Sequence, residues 1–508
     1  MRTKFAVLLA MAAVCVTTAL ADWTPEVLVT GSSSGRSIYS NNGQKLVFAS
    51  DGIGHVIWGG GGVGCNRYDP ASGWGPDYQV SQSGGEPSIA LDADGTTIHV
   101  VYGDSTLCYQ KCVRKGDGSD EWGTVVRPYR EHGPYQPCVA SVPGDPNHVV
   151  ACWKEDIQFN TRGRGRYAEV IGFIECISGV WGTPIRLDSA EAMRRCPSIA
   201  VAPNGDVFIA YFANDDNSSG RQIYVKTRHN GVWGPTVDAT PGLGSDGCGF
   251  PAIEVNPHTG NPHVVFNWMR FTQISKKVKD TTSAACHTYR NSQGVWQPLE
   301  PISVPKHGGG SGALMHHPTL AFVSDGTACA AWCEYWWSRN HGSMYSHYSG
   351  EGGTWSTPAW LTSDPLGNYM DDCPRVAVDE AADAVHALLN RLYPGMGWET
   401  EIWWRSSALG TGFGGGMGKP IAMSQSGVEL FPNPARAGRV TVQYSLPSAE
   451  PLSVTLLDVS GRAVRTQVVP AASSKGSFAL EASSLNAGVY ILKLESGTSS
   501  LTRKLVIQ

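Results

Sequence analysis

Internal repetition is the feature that most constrains the fold of this chain. A short unit, a tryptophan followed by small or polar residues and often by proline, recurs at spacings of 51, 48, 59, 52, 63 and 59 residues. Its seven copies begin at Trp23, Trp74, Trp122, Trp181, Trp233, Trp296 and Trp355. Repeats of this length indicate an array in which each unit buries its apolar face against its neighbours.

A β-hairpin forms the second repeated unit. Its clearest copy runs from Pro87 through alternating apolar residues to a turn at Asp94-Gly95 and returns to Tyr102. Alternation around Asp-Gly is a strong hairpin signal. Related hairpins begin near Gln44, Pro137, Pro197, Pro251, Pro318 and Pro374, so this unit also occurs seven times.

The order of the two units predicts a closed ring. The chain starts with a tryptophan unit that no hairpin precedes, and it ends with a hairpin that no tryptophan unit follows. A strand near Trp23 to Thr30 can therefore complete the last repeat and leave no open sheet edge. We predict an all-β fold, a seven-bladed β-propeller over residues 22–407, with six blades as the alternative. The repeated tryptophans are expected to pack between sheets.

One turn carries a family resemblance. The segment Ser349-Gly-Glu-Gly-Gly-Thr-Trp355 resembles a degenerate Asp-box, the hairpin motif of sialidase-type propellers, with Glu351 where that family has Asp and with one residue fewer. The resemblance implies blade architecture across residues 22–407. It implies little about activity, because Asp-boxes lie on the face opposite the sialidase active site. Sialidases usually have six blades, and their arginine triad has no clear counterpart in this sequence.

The first 21 residues predict an export signal. Arg2 and Lys4 precede an apolar stretch, and Ala19-Leu20-Ala21 forms a cleavage site. No later segment is apolar enough to span a membrane. Net charge is −5 without a basic tract, which excludes a typical nucleic-acid-binding protein.

The cysteines are compatible with an oxidising compartment. Of the 13, all but Cys15 follow the signal, which leaves an even number for disulfides. In the third hairpin, a turn centred near residue 145 places Cys138 directly opposite Cys152. We therefore predict a disulfide between Cys138 and Cys152.

The C-terminal part has a different composition. Residues 408–427 are rich in glycine and read as a linker, and residues 428–508 alternate with period two, which predicts a small immunoglobulin-like β-sandwich. This segment is similar to the type A C-terminal sorting domain of the type IX secretion system, which implies contact with the secretion machinery and a secreted or outer-membrane surface location. The matching elements, in order, are Pro432-Asn433-Pro434, Tyr444-Ser-Leu-Pro447, Leu457-Asp-Val-Ser-Gly-Arg462, Ala487-Gly-Val-Tyr490 and Arg503-Lys504.

Candidate functional residues lie where the repeats differ. Connections between second and third strands, and between repeats, vary in length and share one face, which is where repeat proteins usually bind. Carboxylates and a tyrosine there are candidates for glycoside hydrolysis: Glu155, Asp156, Glu334 and Tyr335. Arginines, aspartates and tryptophans there are candidates for ligand binding: Arg130, Arg195, Asp215, Asp216, Trp336, Trp337, Arg339, Asp371, Asp372 and Arg391.

Three functions fit these observations. The first is a surface propeller that binds an extracellular glycan or other polymer without turnover. The second is a sialidase-like glycoside hydrolase, and the third is an adhesive or structural protein that docks another protein. No cofactor is expected, and no metal site is predicted. The aspartate pairs at 215–216 and 371–372 could bind Ca²⁺, although neither has EF-hand spacing.

Overall fold

A computed structural model describes the chain as all-β and divides it into two compact units, residues 1–418 and 419–508. The described residues are 23–34, 38, 43–131, 133–161, 164–187, 194–213, 221–243, 246–275, 278–309, 316–334, 342–364, 369–393, 399–409, 427–431, 439–445, 452–458, 462–469, 475–481, 485–496 and 499–507. Within these ranges, no helix is long and apolar enough to cross a membrane.

The described part of the first unit forms seven antiparallel sheets, numbered here in chain order of their first hairpins. Sheet 1 contains β2 (Leu46–Phe48), β3 (Gly54–Gly59), β4 (Val63–Asp69), β5 (Gly73–Trp74) and β6 (Tyr78–Ser81). Sheet 2 contains β7 (Gly85–Leu91), β8 (Thr97–Asp104), β9 (Thr106–Arg114), β10 (Asp120–Trp122) and β11 (Val126–Tyr129). Sheet 3 contains β12 (Tyr135–Ser141), β13 (Val149–Thr161), β14 (Arg164–Ile177), β15 (Val180–Trp181) and β16 (Ile185–Arg186).

The remaining four sheets repeat the same antiparallel order. Sheet 4 contains β17 (Arg194–Val201), β18 (Val207–Ala213), β19 (Gln222–His229) and β20 (Val232–Asp238). Sheet 5 contains β21 (Gly247–Val255), β22 (Pro262–Ser275), β23 (Val278–Tyr289), β24 (Glu300–Pro301) and β25 (Lys306–Gly309). Sheet 6 contains β26 (Thr319–Phe322), β27 (Ala328–Glu334), β28 (Gly342–Tyr348) and β29 (Ala359–Trp360). Sheet 7 contains β30 (Met370–Asp379), β31 (Ala384–Leu392), β32 (Glu399–Ala408) and β1 (Val27–Ser34).

The N-terminal strand completes the last sheet, as the order of the repeats predicts. Strand β1 pairs antiparallel with β32, with Val27 opposite Trp404. Arg405 donates hydrogen bonds to the carbonyls of Trp23 and Thr24 at 3.2 and 3.0 Å. The edge that β32 would otherwise expose is therefore covered by the start of the domain.

The repeated tryptophans pack between consecutive sheets, as expected. Six have a ring contact with a residue of the preceding sheet, and the seventh, Trp296, lies in the apolar cluster shared by sheets 4 and 5. Trp74 of sheet 1 contacts Trp404 of sheet 7, with ring centroids 6.0 Å apart. The same contact therefore recurs between the last sheet and the first. The six pairs are Trp23–Tyr345, Trp74–Trp404, Trp122–Tyr78, Trp181–Tyr109, Trp233–Phe173 and Trp355–His287.

A bulge interrupts the first strand of most sheets. In sheets 2 to 7, the residue before the hairpin proline has a positive φ, between 39° and 53°. These residues are Glu86, Gln136, Cys196, Phe250, His317 and Cys373. Some of them link neighbouring sheets: the Gln136 amide donates to Glu86 at 2.6 Å, and the Cys196 amide donates to the Gln136 side chain at 2.9 Å. Strained backbone is thus held by bonds between sheets.

The predicted register of the third hairpin is confirmed, but the structure has no disulfide there. Cys138 lies directly opposite Cys152, and both are buried thiols. The Cys138 thiol donates instead to the Pro197 carbonyl of sheet 4 at 3.0 Å. The Cys138 and Cys152 thiols are nevertheless direct neighbours, and the disulfide between them stays a prediction.

The turn that resembles an Asp-box belongs to sheet 6 and contacts sheet 5. Ser349 accepts a hydrogen bond from the Thr354 amide at 2.9 Å, which closes the turn. Glu351 leaves the turn and accepts from Asn261 at 2.9 Å, and it lies 3.3 Å from Nε2 of His263. The carboxylate therefore stabilises packing between sheets on the face opposite the variable connections.

The second unit contains two antiparallel sheets. One has the order β33 (Gly427–Phe431), β34 (Arg439–Ser445) and β37 (Lys475–Glu481). The other has the order β36 (Ala463–Val469), β35 (Leu452–Asp458), β38 (Gly488–Ser496) and β39 (Ser499–Ile507). Buried alternate residues of both, such as Val442 and Leu492, form one apolar core.

Candidate functional site

A pocket of about 580 Å³ lies between sheets 2 and 3. Strand β11 contributes one wall, and β13 and β16 contribute the other. We call it the arginine pocket, because three arginines line it. Its residues are Arg127, Pro128, Tyr129, Arg130, Glu131, Trp153, Glu155, Pro184, Ile185 and Arg186. Two of these residues, Arg130 and Glu155, are among the candidates that the sequence indicates.

A buried carboxylate organises the pocket. The Glu155 side chain is 1% exposed and accepts hydrogen bonds from the Tyr129 hydroxyl and from Nε of Arg186. The indole of Trp153 lies 3.4 Å from the same carboxylate. Both carboxylate oxygens are therefore occupied by donors from the protein, and the tyrosine and arginine are held in fixed orientations.

The titration properties of the donors follow from this arrangement. Burial and the hydrogen bond to Glu155 raise the pKa of the Tyr129 phenol. The same carboxylate raises the pKa of Arg186. The phenol consequently stays protonated and the guanidinium stays charged at neutral pH.

The groups that a ligand can reach are mainly cationic. The Arg186 side chain is 42% exposed, and it contacts Glu155 through Nε and also interacts with the Tyr129 hydroxyl. Arg127 is 41% exposed, with one long ion pair to Asp104 at 3.6 Å. Arg130 is exposed and has no ion pair within the described ranges, and Glu131 is the exposed carboxylate at the same rim. Apolar contact is available from Ile185, which is 40% exposed.

The pocket belongs to the face with variable connections. Strand β13 starts at the short turn of the first hairpin and runs for 13 residues, whereas the equivalent strands β18 and β27 have 7. At about 3.3 Å per residue, sheet 3 extends roughly 20 Å further on this face. Strand β22 of sheet 5, with 14 residues, forms a second extension. The two long hairpins flank sheet 4.

Arg195 and Asp156 lie on the other side of the long hairpin. Arg195 donates from Nε to both oxygens of Glu169, at 2.9 and 2.7 Å. Lys154 bridges Glu169 at 3.2 Å and Asp156 at 3.1 Å. The Arg195 and Asp156 side chains are both accessible, but neither lines the pocket. Asp156 follows Glu155 on β13 and so points to the other face of sheet 3, and Arg195 belongs to sheet 4.

Asp371 and Arg391, two of the candidate ligand-binding residues, form a buried ion pair. Arg391 is 4% exposed and donates to Asp371 at 2.7 and 2.8 Å and to Glu26 at 2.7 Å. Its guanidinium also lies 3.7 Å from the centre of the Tyr369 ring. This cluster fixes the N-terminal segment against sheet 7. The neighbouring Asp372 accepts from the Cys373 amide at 2.7 Å.

Glu334, one of the catalytic candidates, is also buried. The carboxylate is 2% exposed and accepts from the Trp332 indole at 2.8 Å. The other candidates lie outside the described residues: Asp215, Asp216, Tyr335, Trp336, Trp337 and Arg339.

Sequence reasoning missed Tyr129, Trp153 and Arg186. The sequence contains one signal for the part of the site on β13. Residues two apart on a strand share a face, so a large buried indole at Trp153 indicates that Glu155 is buried beside it. The contributions of Tyr129 and Arg186 depend on how β11 and β16 pack against β13, and no local pattern reports that.

Comparison with protein families identifies the C-terminal unit. Residues 429–508 match the model of the secretion system C-terminal sorting domain. The resemblance seen in the sequence motifs is therefore confirmed, and the protein is secreted or attached to the outer-membrane surface. A search of curated proteins found no match for the chain.

Three of the solved structures that this chain resembles are a polysaccharide lyase, an arabinofuranosidase and a neuraminidase-like protein. The polysaccharide lyase Uly1 has 10% identity and a TM-score of 0.44, covering 75% of this chain and 91% of its own. The GH93 α-L-arabinofuranosidase of Fusarium graminearum, solved with arabinobiose, has 11% identity and a TM-score of 0.41, covering 76% and 98%. The subtype N10 neuraminidase-like protein of A/little yellow-shouldered bat/Guatemala/060/2010 has 9% identity and a TM-score of 0.36, covering 64% and 93%.

Proposed function

We propose that this protein is a surface propeller that binds an extracellular glycan in the arginine pocket. In this proposal, a signal peptide at residues 1–21 is removed, and residues 22–407 form a seven-bladed ring. Residues 408–427 then link the ring to an immunoglobulin-like sorting domain at 428–508. The seven sheets and the pairing of β1 with β32 support the ring.

The pocket is the observation that carries the binding function. Its volume of about 580 Å³ falls within the range of small-molecule sites, about 300–1,000 Å³. It combines charged groups at the rim with apolar surface from Ile185 and two prolines. Sugars offer both hydroxyls and apolar ring faces, so this combination suits them.

Burial of the carboxylate favours binding over hydrolysis. A general acid or base must come within hydrogen-bond reach of the substrate. Glu155 is 1% exposed and already accepts from Tyr129 and Arg186. Because the pKa of Tyr129 is raised, its phenol is also a poor nucleophile. These properties fit a role in positioning Arg186. They do not fit the role of a catalytic pair.

Two isoleucine variants test the site. Ile185→Trp fills the pocket, whereas Ile177→Trp places the same bulk at the other end of sheet 3, where Ile177 is 51% exposed. On a glycan array, we expect the wild type and Ile177→Trp to bind and Ile185→Trp to lose binding. A fluorogenic sialoside assay on the same samples should show no turnover. Failure of the wild type to bind any glycan would contradict the proposal and favour a protein-docking role.

A further inference from the structure

The charge of the arginine pocket narrows the class of glycan. This inference rests on the proposed binding function and concerns the same site. The lining has three arginines against Glu131 and Glu155. Glu155 is enclosed, so it acts on Arg186 from inside and does not meet a ligand. The surface that a ligand meets is therefore more cationic than the residue count suggests.

The arrangement of the guanidinium groups suits an oxyanion. Glu155 binds Arg186 through Nε, and 42% of the Arg186 side chain remains exposed to solvent. A planar guanidinium presents paired N–H donors that match the two oxygens of a carboxylate or sulfate. Arg127 and Arg130 on β11 and the connection after it stand on the opposite wall of the same pocket. An anionic group between the walls would be approached from both sides.

We propose that the arginine pocket binds a sugar unit that carries an oxyanion substituent, a carboxylate or a sulfate ester. Arg130 and Arg186 hold the substituent, and Arg127 adds positive potential at the rim. Glu155 is a positioning residue that fixes Arg186. The exposed carboxylate of Glu131 repels further negative charge on one side and can accept hydrogen bonds from sugar hydroxyls.

Three oligosaccharides of equal length distinguish the chemistry. Polygalacturonate fragments carry carboxylates, carrageenan fragments carry sulfates, and dextran fragments carry neither. We expect the full secreted chain to bind at least one acidic probe in calorimetry and to bind dextran at least tenfold more weakly. The acidic probe that binds better identifies the oxyanion. Binding should weaken between 50 and 300 mM NaCl, since screening reduces the attraction between charges.

Charge variants place the effect in the pocket. Arg130→Gln should weaken acidic binding at least tenfold without a change in thermal unfolding, because Arg130 is exposed. Lys115→Gln is the control, since Lys115 is 50% exposed at the short turn of sheet 2, away from the pocket. Equal binding of dextran and acidic probes, or unchanged binding by Arg130→Gln, would overturn the oxyanion inference and leave glycan binding intact. Binding of no saccharide at all would overturn the proposed function as well.

Discussion

Two arginine–carboxylate clusters occupy matching places in sheets 3 and 7 but serve different ends. In sheet 3, Cys138 follows the hairpin proline and pairs with Cys152, and Glu155 lies three residues after Cys152. In sheet 7, Arg375 follows the hairpin proline and pairs with Leu388, and Arg391 lies three residues after Leu388. In sheet 3 the arginine of the pair is 42% exposed, and in sheet 7 it is 4% exposed. In sheet 3 the ion pair faces solvent and lines a pocket. In sheet 7 the N-terminal segment covers the ion pair, and we call this buried cluster of Arg391, Asp371 and Glu26 the staple.

The staple has a clear electrostatic basis. Burial would raise the pKa of Glu26, but Arg391 and the Ser363 amide outweigh it and leave that pKa below its ordinary value. Burial raises the pKa of Asp371 despite the same arginine. The two carboxylates thus share one buried guanidinium. Loss of that cation leaves Asp371 without its ion pair and leaves Glu26 with only Arg405, at 4.0 Å.

The largest effect is expected from Arg391→Gln. Breaking a buried ion pair by removing one partner costs about 3–5 kcal/mol. We expect a loss of this size in the free energy of unfolding, measured by urea denaturation of the secreted chain. Folded Arg391→Gln protein should still bind at the arginine pocket. A cost below about 1 kcal/mol would mean that Arg391 is not a staple.

Sequence patterns predicted the repeat architecture well because its signals are local. The Asp94-Gly95 turn and the tryptophan spacing report hairpins and packing that each repeat makes in the same way. The closing strand from Val27 followed from the order of units alone and is confirmed. The sorting domain was evident from ordered motifs and is also confirmed.

The site was less predictable because it depends on burial. Glu155, Asp371 and Arg391 look equivalent as polar residues near variable connections, and only packing between sheets separates a pocket from a staple. The bulges were also not foreseen. Proline restricts the backbone of the residue before it, but this restriction does not by itself predict a positive φ. In the structure, Glu86 and Phe250 have positive φ and contact residues of neighbouring sheets.

Glu155→Gln tests whether the pocket carboxylate positions an arginine. The amide keeps the shape but loses charge-assisted hydrogen bonds, which contribute about 1.5–3 kcal/mol. We expect this loss in stability together with weaker binding of the acidic saccharide. Glu121→Gln, at a residue that is 62% exposed on the opposite face, should change neither. Unchanged affinity in folded Glu155→Gln would show that Arg186 needs no positioning.

Acid is expected to lower the stability of the protein through a buried histidine, His317, that belongs to neither cluster. Burial lowers the pKa of His317 to about 4, from about 6.5 in an unfolded chain. Because the folded pKa is lower, the unfolded chain binds the extra proton between these values. This contribution to stability is complete above pH 6.5 and is lost as the pH falls towards 4.

His317→Asn should therefore reduce the loss of stability between pH 7 and pH 5 by about 2 kcal/mol. Asparagine tolerates the φ of 39° at this position and stays neutral. Urea denaturation of both proteins at the two pH values measures the difference, and other histidines cancel because both proteins contain them. Equal pH dependence in the two proteins would show that His317 is not the group that titrates.

The smallest effect is expected from Arg270→Gln. This variant tests whether burial or hydrogen-bond geometry makes the staple contribute more to stability than other ion pairs. Arg270 also grips an aspartate with two nitrogens, at 2.9–3.1 Å from the oxygens of Asp246, but its side chain is 57% exposed. Solvent-exposed pairs contribute about 0–1 kcal/mol. If burial decides, urea denaturation should show a cost in this range, well below that of Arg391→Gln. If two-point geometry decides, the two costs should be similar. Binding at the arginine pocket should not change, because Arg270 lies in sheet 5 and lines no part of it.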